Sequence, residues 1–188
     1  MNYIKISLNV GLGLVVALMT FFLYSMVNDP IQFERQKSDR YDKVIERLKD
    51  IRTAQLAYRD LRGSFAGDFD QLIHTLKFDS IPEVRIIGNP DDTAQTVIYD
   101  TIYYNMMDRV FPAKVVNPDS LRYIPYSGGD TFNISAGSIT RNRVNISVFE
   151  VSAPETKFLK GLDPRFINRD FALRVGSMSE GNLSGNWE

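Results

Sequence analysis

The feature that most constrains this chain is a stretch near its start with no charge at all. From Ile6 to Val27 the sequence reads ISLNVGLGLVVALMTFFLYSMV, without one Asp, Glu, Lys or Arg. As a helix at about 1.5 Å per residue, the run is roughly 33 Å long, enough to cross a hydrocarbon core of about 30 Å. Its polar members, Ser7, Asn9, Thr20 and Ser25, lie mostly toward its ends, and Tyr3 and Tyr24 stand where interfacial aromatics belong. A cleaved signal peptide has a shorter apolar region and a small-residue cleavage site. This run is longer and passes into Ser25-Met26-Val27-Asn28-Asp29-Pro30 without such a site. The expectation is a short N-terminal tail (1–5), a single transmembrane helix (6–27), a polar juxtamembrane segment (28–40) and a soluble domain (41–188). Basic residues near the span bear on its direction. The tail carries only Lys5, and the six residues after Val27 hold no basic residue. Arg35, Lys37, Arg40 and Lys43 follow further on, so a strict count does not favour a translocated domain. The short tail and the gap free of basic residues set the expectation of an N-terminus inside and a C-terminal domain outside.

Removing Lys5 from the 22 Lys and Arg residues leaves 21, against 23 Asp and Glu. A soluble part this close to neutral lacks the basic excess of a general nucleic-acid binder, so no nucleic acid is expected as partner. With no cysteine and one histidine, a disulfide, a thiol nucleophile or a Cys-based zinc site is excluded.

Beyond the span, Asn28-Asp29-Pro30 predicts a break or bend, because proline disfavours helix in the residue before it and can start a new one. Residues 32–62 predict the strongest soluble helix. Tyr41, Val44, Ile45, Leu48, Ile51, Ala54, Tyr58 and Leu61 form one stripe at spacings of three and four, and Gly63 follows as a C-terminal cap. Glu34 to Arg40 is polar on all sides and is expected to stand in solvent. Asp68, with Gln71 three positions on, starts a second, short helix whose buried stripe is Phe69, Leu72, Ile73 and Leu76. From Ile81 the texture changes to strands at 84–87, 96–104, 121–126, 131–136, 144–152 and 172–175. The expected turns fall at Gly88 to Asp92, at Ser127-Gly128-Gly129-Asp130 as a hairpin, and at Arg141-Asn142-Arg143. Val144, Ile146 and Val148 share one strand face. A short helix plus loop is expected over 155–170. The fold class is α+β: an amphipathic helix packed on a mainly antiparallel sheet.

Catalytic chemistry finds little to stand on. There is no nucleophile elbow, no phosphate-binding loop and no dinucleotide fingerprint. His74 falls on the polar side of its helix. Asp60, Asp68 and Asp70 cluster around Gly63 and Gly67 but lack the spacing of a calcium loop; Asp91, Asp92 and Asp130 are accounted for by turns. No catalytic, cofactor-binding or metal residue is expected, and no cofactor or small-molecule substrate. Tyr99, Tyr103, Tyr104, Tyr123 and Tyr126 crowd the strand region, where sheet packing is the expected role and a partner-binding face the alternative. Gly11 and Gly13 are two apart, which is not the small-residue spacing of paired membrane helices.

With these residues in place, the chain resembles type IV pilins and type II secretion pseudopilins. A membrane helix runs into DIRTAQLAYRDLRGSFAGDFDQLIHTL, in which Ala57, Tyr58, Gly63, Phe65, Leu72 and Leu76 match the family outline, and Gly185, Asn186 and Trp187 resemble the glycine-rich close of major pseudopilins. The resemblance implies a long N-terminal helix against an antiparallel sheet, and it adds to the expectation of a C-terminal domain outside. The chain departs from the family in its anchor, which has no acidic residue and no prepilin cleavage motif, and in residues 176–188, which lack the calcium-binding aspartates. A permanent tether is therefore expected, with no metal. Through DPIQFERQ after the apolar run, LRYIPYS, VNISVFEVSAP and the GNWE end, the whole chain also resembles single-pass envelope proteins of Bacteroidota, a resemblance that implies no activity. The expected function is a non-catalytic envelope protein of the bacterial inner membrane, a pilin-like or pseudopilin-like component of a secretion or pilus-type assembly, with other envelope proteins as partners. The alternative is an accessory stalk or scaffold of such an assembly, and a third reading is a membrane-tethered hydrolase or carbohydrate-binding domain.

Overall fold

The computed structural model describes residues 2–87 and 98–188, and in the first segment the side chains of residue 3 and of residues 10–87. One helix, α1 (Asn2–Arg62), runs through the apolar stretch and on into the domain. It is long and apolar enough to cross a membrane, and none of its most apolar window is covered by the rest of the chain. The break expected at Asn28–Pro30 is absent, since Pro30 lies inside α1. Proline removes one backbone bond, at a cost of about 3 kcal/mol. Here the helix continues because Phe33, one turn further on, is buried and anchors the next turns against the domain.

The C-terminal third of α1 forms one wall of the core. Val44, Leu48, Ile51 and Ala54 are fully buried, and burying a side chain such as Leu48 contributes about 1.5–3 kcal/mol. Gln55 is buried beside them, and both ends of its amide are used. Its Nε2 donates to the Ala66 carbonyl and its Oε1 accepts from the Ala66 amide, each at 2.9 Å. This pins the loop that follows α1. The helix ends as expected: Gly63, at φ +80°, donates its amide to the Arg59 carbonyl at 2.7 Å.

Helix α2 (Phe69–Phe78) is capped by Asp68, whose carboxylate accepts from the Gln71 amide at 2.8 Å, and it buries Phe69, Leu72, Ile73 and Leu76. Among the described residues, two antiparallel sheets follow in place of the single one expected. The first is a two-stranded ribbon, β1 (Ser80–Ile87) with β2 (Ile98–Asn105). The turn expected at Gly88 to Asp92 lies outside the described residues. Helix α3 (Met106–Val110) begins at the ribbon's root.

The second sheet has the order β3 (Asn133–Arg141), β4 (Val144–Pro154), β5 (Ala172–Gly176). Its β3–β4 hairpin turns on Asn142 and Arg143 at φ +51° and +64°, the two positive values that match the twist of paired strands. The hairpin expected around Ser127–Asp130 is reduced to one bridge, Tyr123 to Thr131, because 118–122 winds into a 3₁₀ turn and β3 pairs with β4 instead. On β4 the core face is Phe149, Val151 and Ala153. Val148, on the face with Val144 and Ile146, is also buried. It pairs with Gly137, over which Met178 of the C-terminal segment lies. Between β4 and β5, α4 (Glu155–Phe158) leads into a loop with a 3₁₀ turn at 164–166.

The polar segment 34–40 does not stand free. Phe33 packs on Phe166 with centroids 5.2 Å apart, Lys37 reaches Glu155 at 3.3 Å, and Arg40 donates to the Phe158 and Lys160 carbonyls at 3.0 and 2.9 Å. Thus α1 is joined to the domain from Phe33 onward, eight residues earlier than its apolar stripe alone indicates.

Candidate interaction surface

The residues singled out for chemistry are dispersed. His74 is exposed, with its ring against Phe78 at 4.9 Å. Asp60 pairs with Arg59 at 2.8 Å, Asp68 caps α2, and Asp70 pairs with Arg122 at 2.5 Å. Asp91 and Asp92 lie outside the described residues. Among the described residues, no three His, Asp or Glu side chains come together in a way that suits a metal ion. Gly128 and Gly129 take φ +81° and +111° in the turn before Asp130, which explains the glycines without a ligand.

Two charged groupings link α1 to other parts of the chain through a shared partner or a buried group, and both are internal ties. Lys114 bridges Glu46 and Asp50, at 2.8 Å to each. The hydrogen bonds from Lys114, then Lys43, hold the Glu46 carboxyl below its ordinary range, while Asp50, then Glu46, push the Lys114 ammonium up. The second grouping is buried. The Glu155 side chain is 1 % exposed, and its Oε1 makes no hydrogen bond, facing instead the Lys37 ammonium 3.3 Å away. Lys37 also lies over the rings of Phe33 and Tyr41, at 5.9 and 5.5 Å. Burial, then the negative charge of Glu155, pushes the Tyr41 phenol above its ordinary range.

What stands out on the surface is the β1–β2 ribbon. Strand residues alternate between faces, so the register puts Pro82 opposite Tyr103, Val84 opposite Thr101 and Ile86 opposite Tyr99 on one face. All six are exposed and none is charged; Val84, Ile86, Tyr99 and Tyr103 are 57, 51, 65 and 70 % exposed. The other face carries the charges, with Arg85 opposite Asp100 and Glu83 paired to Arg109 of α3 at 3.4 Å. The tyrosines therefore do not pack inside a sheet: Tyr99, Tyr103, Tyr104, Tyr123 and Tyr126 are all exposed. For Tyr99 and Tyr103 the physical reason is that, among the described residues, the ribbon has two strands and no layer over its uncharged face; Tyr104 is on the opposite face, and Tyr123 and Tyr126 lie outside the ribbon.

The root of the ribbon, Ile81 and Pro82, lines a hollow with Thr53, Ala57 and Leu61 of α1. Thr53 is 26 residues beyond Val27, so the ribbon stands about 40 Å along the helix axis from the apolar stretch. No family model, curated protein or solved structure matches the chain.

Proposed function

We propose that this chain is a non-catalytic, single-pass anchored protein of the bacterial inner membrane, with its domain outside. We further infer that it serves as a pilin-like or pseudopilin-like subunit of a secretion or pilus-type assembly. The observation that carries this reading is α1. It runs unbroken from an uncovered apolar stretch into the core, and its stripe from Val44 to Ala54 is buried against the chain's own domain. A free stalk would leave that stripe for another helix. The long helix that begins apolar and ends as a wall of an α+β domain is the arrangement the pilin resemblance implies.

The uncharged ribbon face supplies the contact. A two-stranded ribbon is marginal in water by itself, and an apolar patch on a surface marks an interaction site. Anchoring holds every copy at one height, so the partner is another anchored subunit that presents an uncharged face about 40 Å from the bilayer. A reporter fused after Glu188 that is active only outside the cytoplasm tests the topology. Activity is expected, and a signal from a cytoplasm-only reporter overturns the orientation.

A further inference from the structure

The segment between α4 and β5 descends along α1 toward the apolar stretch and climbs back. Its start is tied at the level of Arg40, which holds the Phe158 and Lys160 carbonyls. Phe166 then packs on Phe33, seven residues lower on α1. Beside Phe166, the Arg165 guanidinium donates to both oxygens of Asp163, at 3.1 and 2.5 Å. The return leg is marked by Phe171, which stacks on Tyr41 with centroids 6.2 Å apart.

These levels convert to heights. Arg40 is 13 residues past Val27 and Phe33 is six past it, which is about 20 Å and about 9 Å along a helix. The headgroup layer on each side of a bilayer is about 5–7 Å thick. A loop whose lowest contact lies about 9 Å up therefore stands at the outer boundary of the headgroups of any bilayer that α1 spans. The composition of the tip suits that position. Pro164, Arg165, Phe166, Ile167, Asn168 and Arg169 contain two arginines, an aromatic and an isoleucine, and no acidic residue. Five of the six are exposed, including Phe166 at 38 %. Aromatic rings and arginines, which bury an apolar stem and keep the charge wet, favour the interface.

We propose that residues 164–169 form a foot that rests in the lipid headgroup layer, with Arg165 and Arg169 toward the phosphates and Phe166 at the layer's outer boundary. This inference rests on α1 being a membrane anchor. It makes the contact between domain and bilayer a second support beside the helix, fixing the tilt at which the ribbon is presented.

The absence of cysteine allows a clean test in the full chain, reconstituted in phosphatidylcholine vesicles. Single cysteines replace Asn168 in the foot, Leu18 in the apolar stretch and Ser138 on β3, each carrying an environment-sensitive fluorophore. Lipids bearing a nitroxide on the headgroup or in mid-chain serve as quenchers. Ser138 is opposite Ser147, which reaches the Gly63 carbonyl, so it reports a site far from the bilayer. The label at 18 is expected to be quenched by the mid-chain nitroxide. The label at 168 is expected to be quenched by the headgroup nitroxide at least threefold more than the label at 138. If 18 is quenched and 168 behaves like 138, the foot is refuted and the anchor stands. If 18 is not quenched, the anchor reading fails and the foot with it.

Discussion

Replacing Lys37 with methionine removes the cation that faces the buried Glu155 carboxylate and keeps the length of the side chain. At 3.3 Å and an effective dielectric of about 20, the attraction between Lys37 and Glu155 is about 5 kcal/mol, before the cost of taking Glu155 out of water. Breaking a fully buried pair from one side costs about 3–5 kcal/mol. The Lys37 side chain is 26 % exposed, so water already screens part of the attraction and the expected loss is about 2–4 kcal/mol. Glu155→Gln, which removes the charge itself, is expected to cost less, and the double variant to lie closer to Glu155→Gln than to the sum of the two. The coupling in that cycle is expected at about 1–3 kcal/mol. Urea unfolding of the full chain in detergent micelles, followed by the fluorescence of Trp187, the only tryptophan, measures all four corners. A loss below about 0.5 kcal/mol for Lys37→Met would show that the turns of α1 just after Pro30 are not fastened to the domain. Strict additivity would show that the two groups do not act as a pair.

Other perturbations have equally definite outcomes. Leu48→Ala, at a fully buried position of the α1 stripe, is expected to lower unfolding stability by about 2–5 kcal/mol in the same assay. Gly176→Ala places a methyl 2.2 Å from the Phe149 carbonyl oxygen at φ +76°, so it is expected to pull β5 from β4 and raise amide exchange along both strands. The Glu46 carboxyl, lowered by its lysines, contributes stability that is present above the ordinary carboxylate range and lost as pH falls below it. Lys114→Met is expected to flatten that acid limb of the unfolding curve by no more than about 1 kcal/mol, since the pair lies at the surface. Tyr103→Ser and Val84→Ser, on the exposed ribbon face, are expected to change unfolding stability by less than about 0.5 kcal/mol while weakening recovery of crosslinked partners.

The helical half of the fold was legible because its signals are local. The stripe from Tyr41 to Leu61, the cap at Asp68 and the stop at Gly63 each report neighbours within four residues. Pro30 misled because the factor that overrides it, Phe33 packing on Phe166, spans more than a hundred residues. One signal pointed there: Phe33, Lys37, Tyr41 and Val44 continue the spacing of the stripe if the stem of Lys37 is counted as apolar. Five of the six expected strands lie near observed ones, while 121–126 keeps only the bridge at Tyr123, and the pairing of the strands was not legible. Nothing in the alternation of β2 says that it pairs only with β1, or that β3 turns to β4 at Asn142 and leaves the Ser127–Asp130 turn with one bridge. The exposed tyrosines follow from the same limit, since β propensity places a residue in a strand without saying whether a second layer covers it.

The account stands on the ribbon being a contact between anchored subunits. Its most direct test is photo-crosslinking in membranes of cells that make the full chain, with the photoreactive residue at Tyr103 on the ribbon or at Lys49 on the outer side of α1. The account predicts adducts with a second anchored envelope subunit from position 103 and none from position 49; monomer alone from both positions would contradict it.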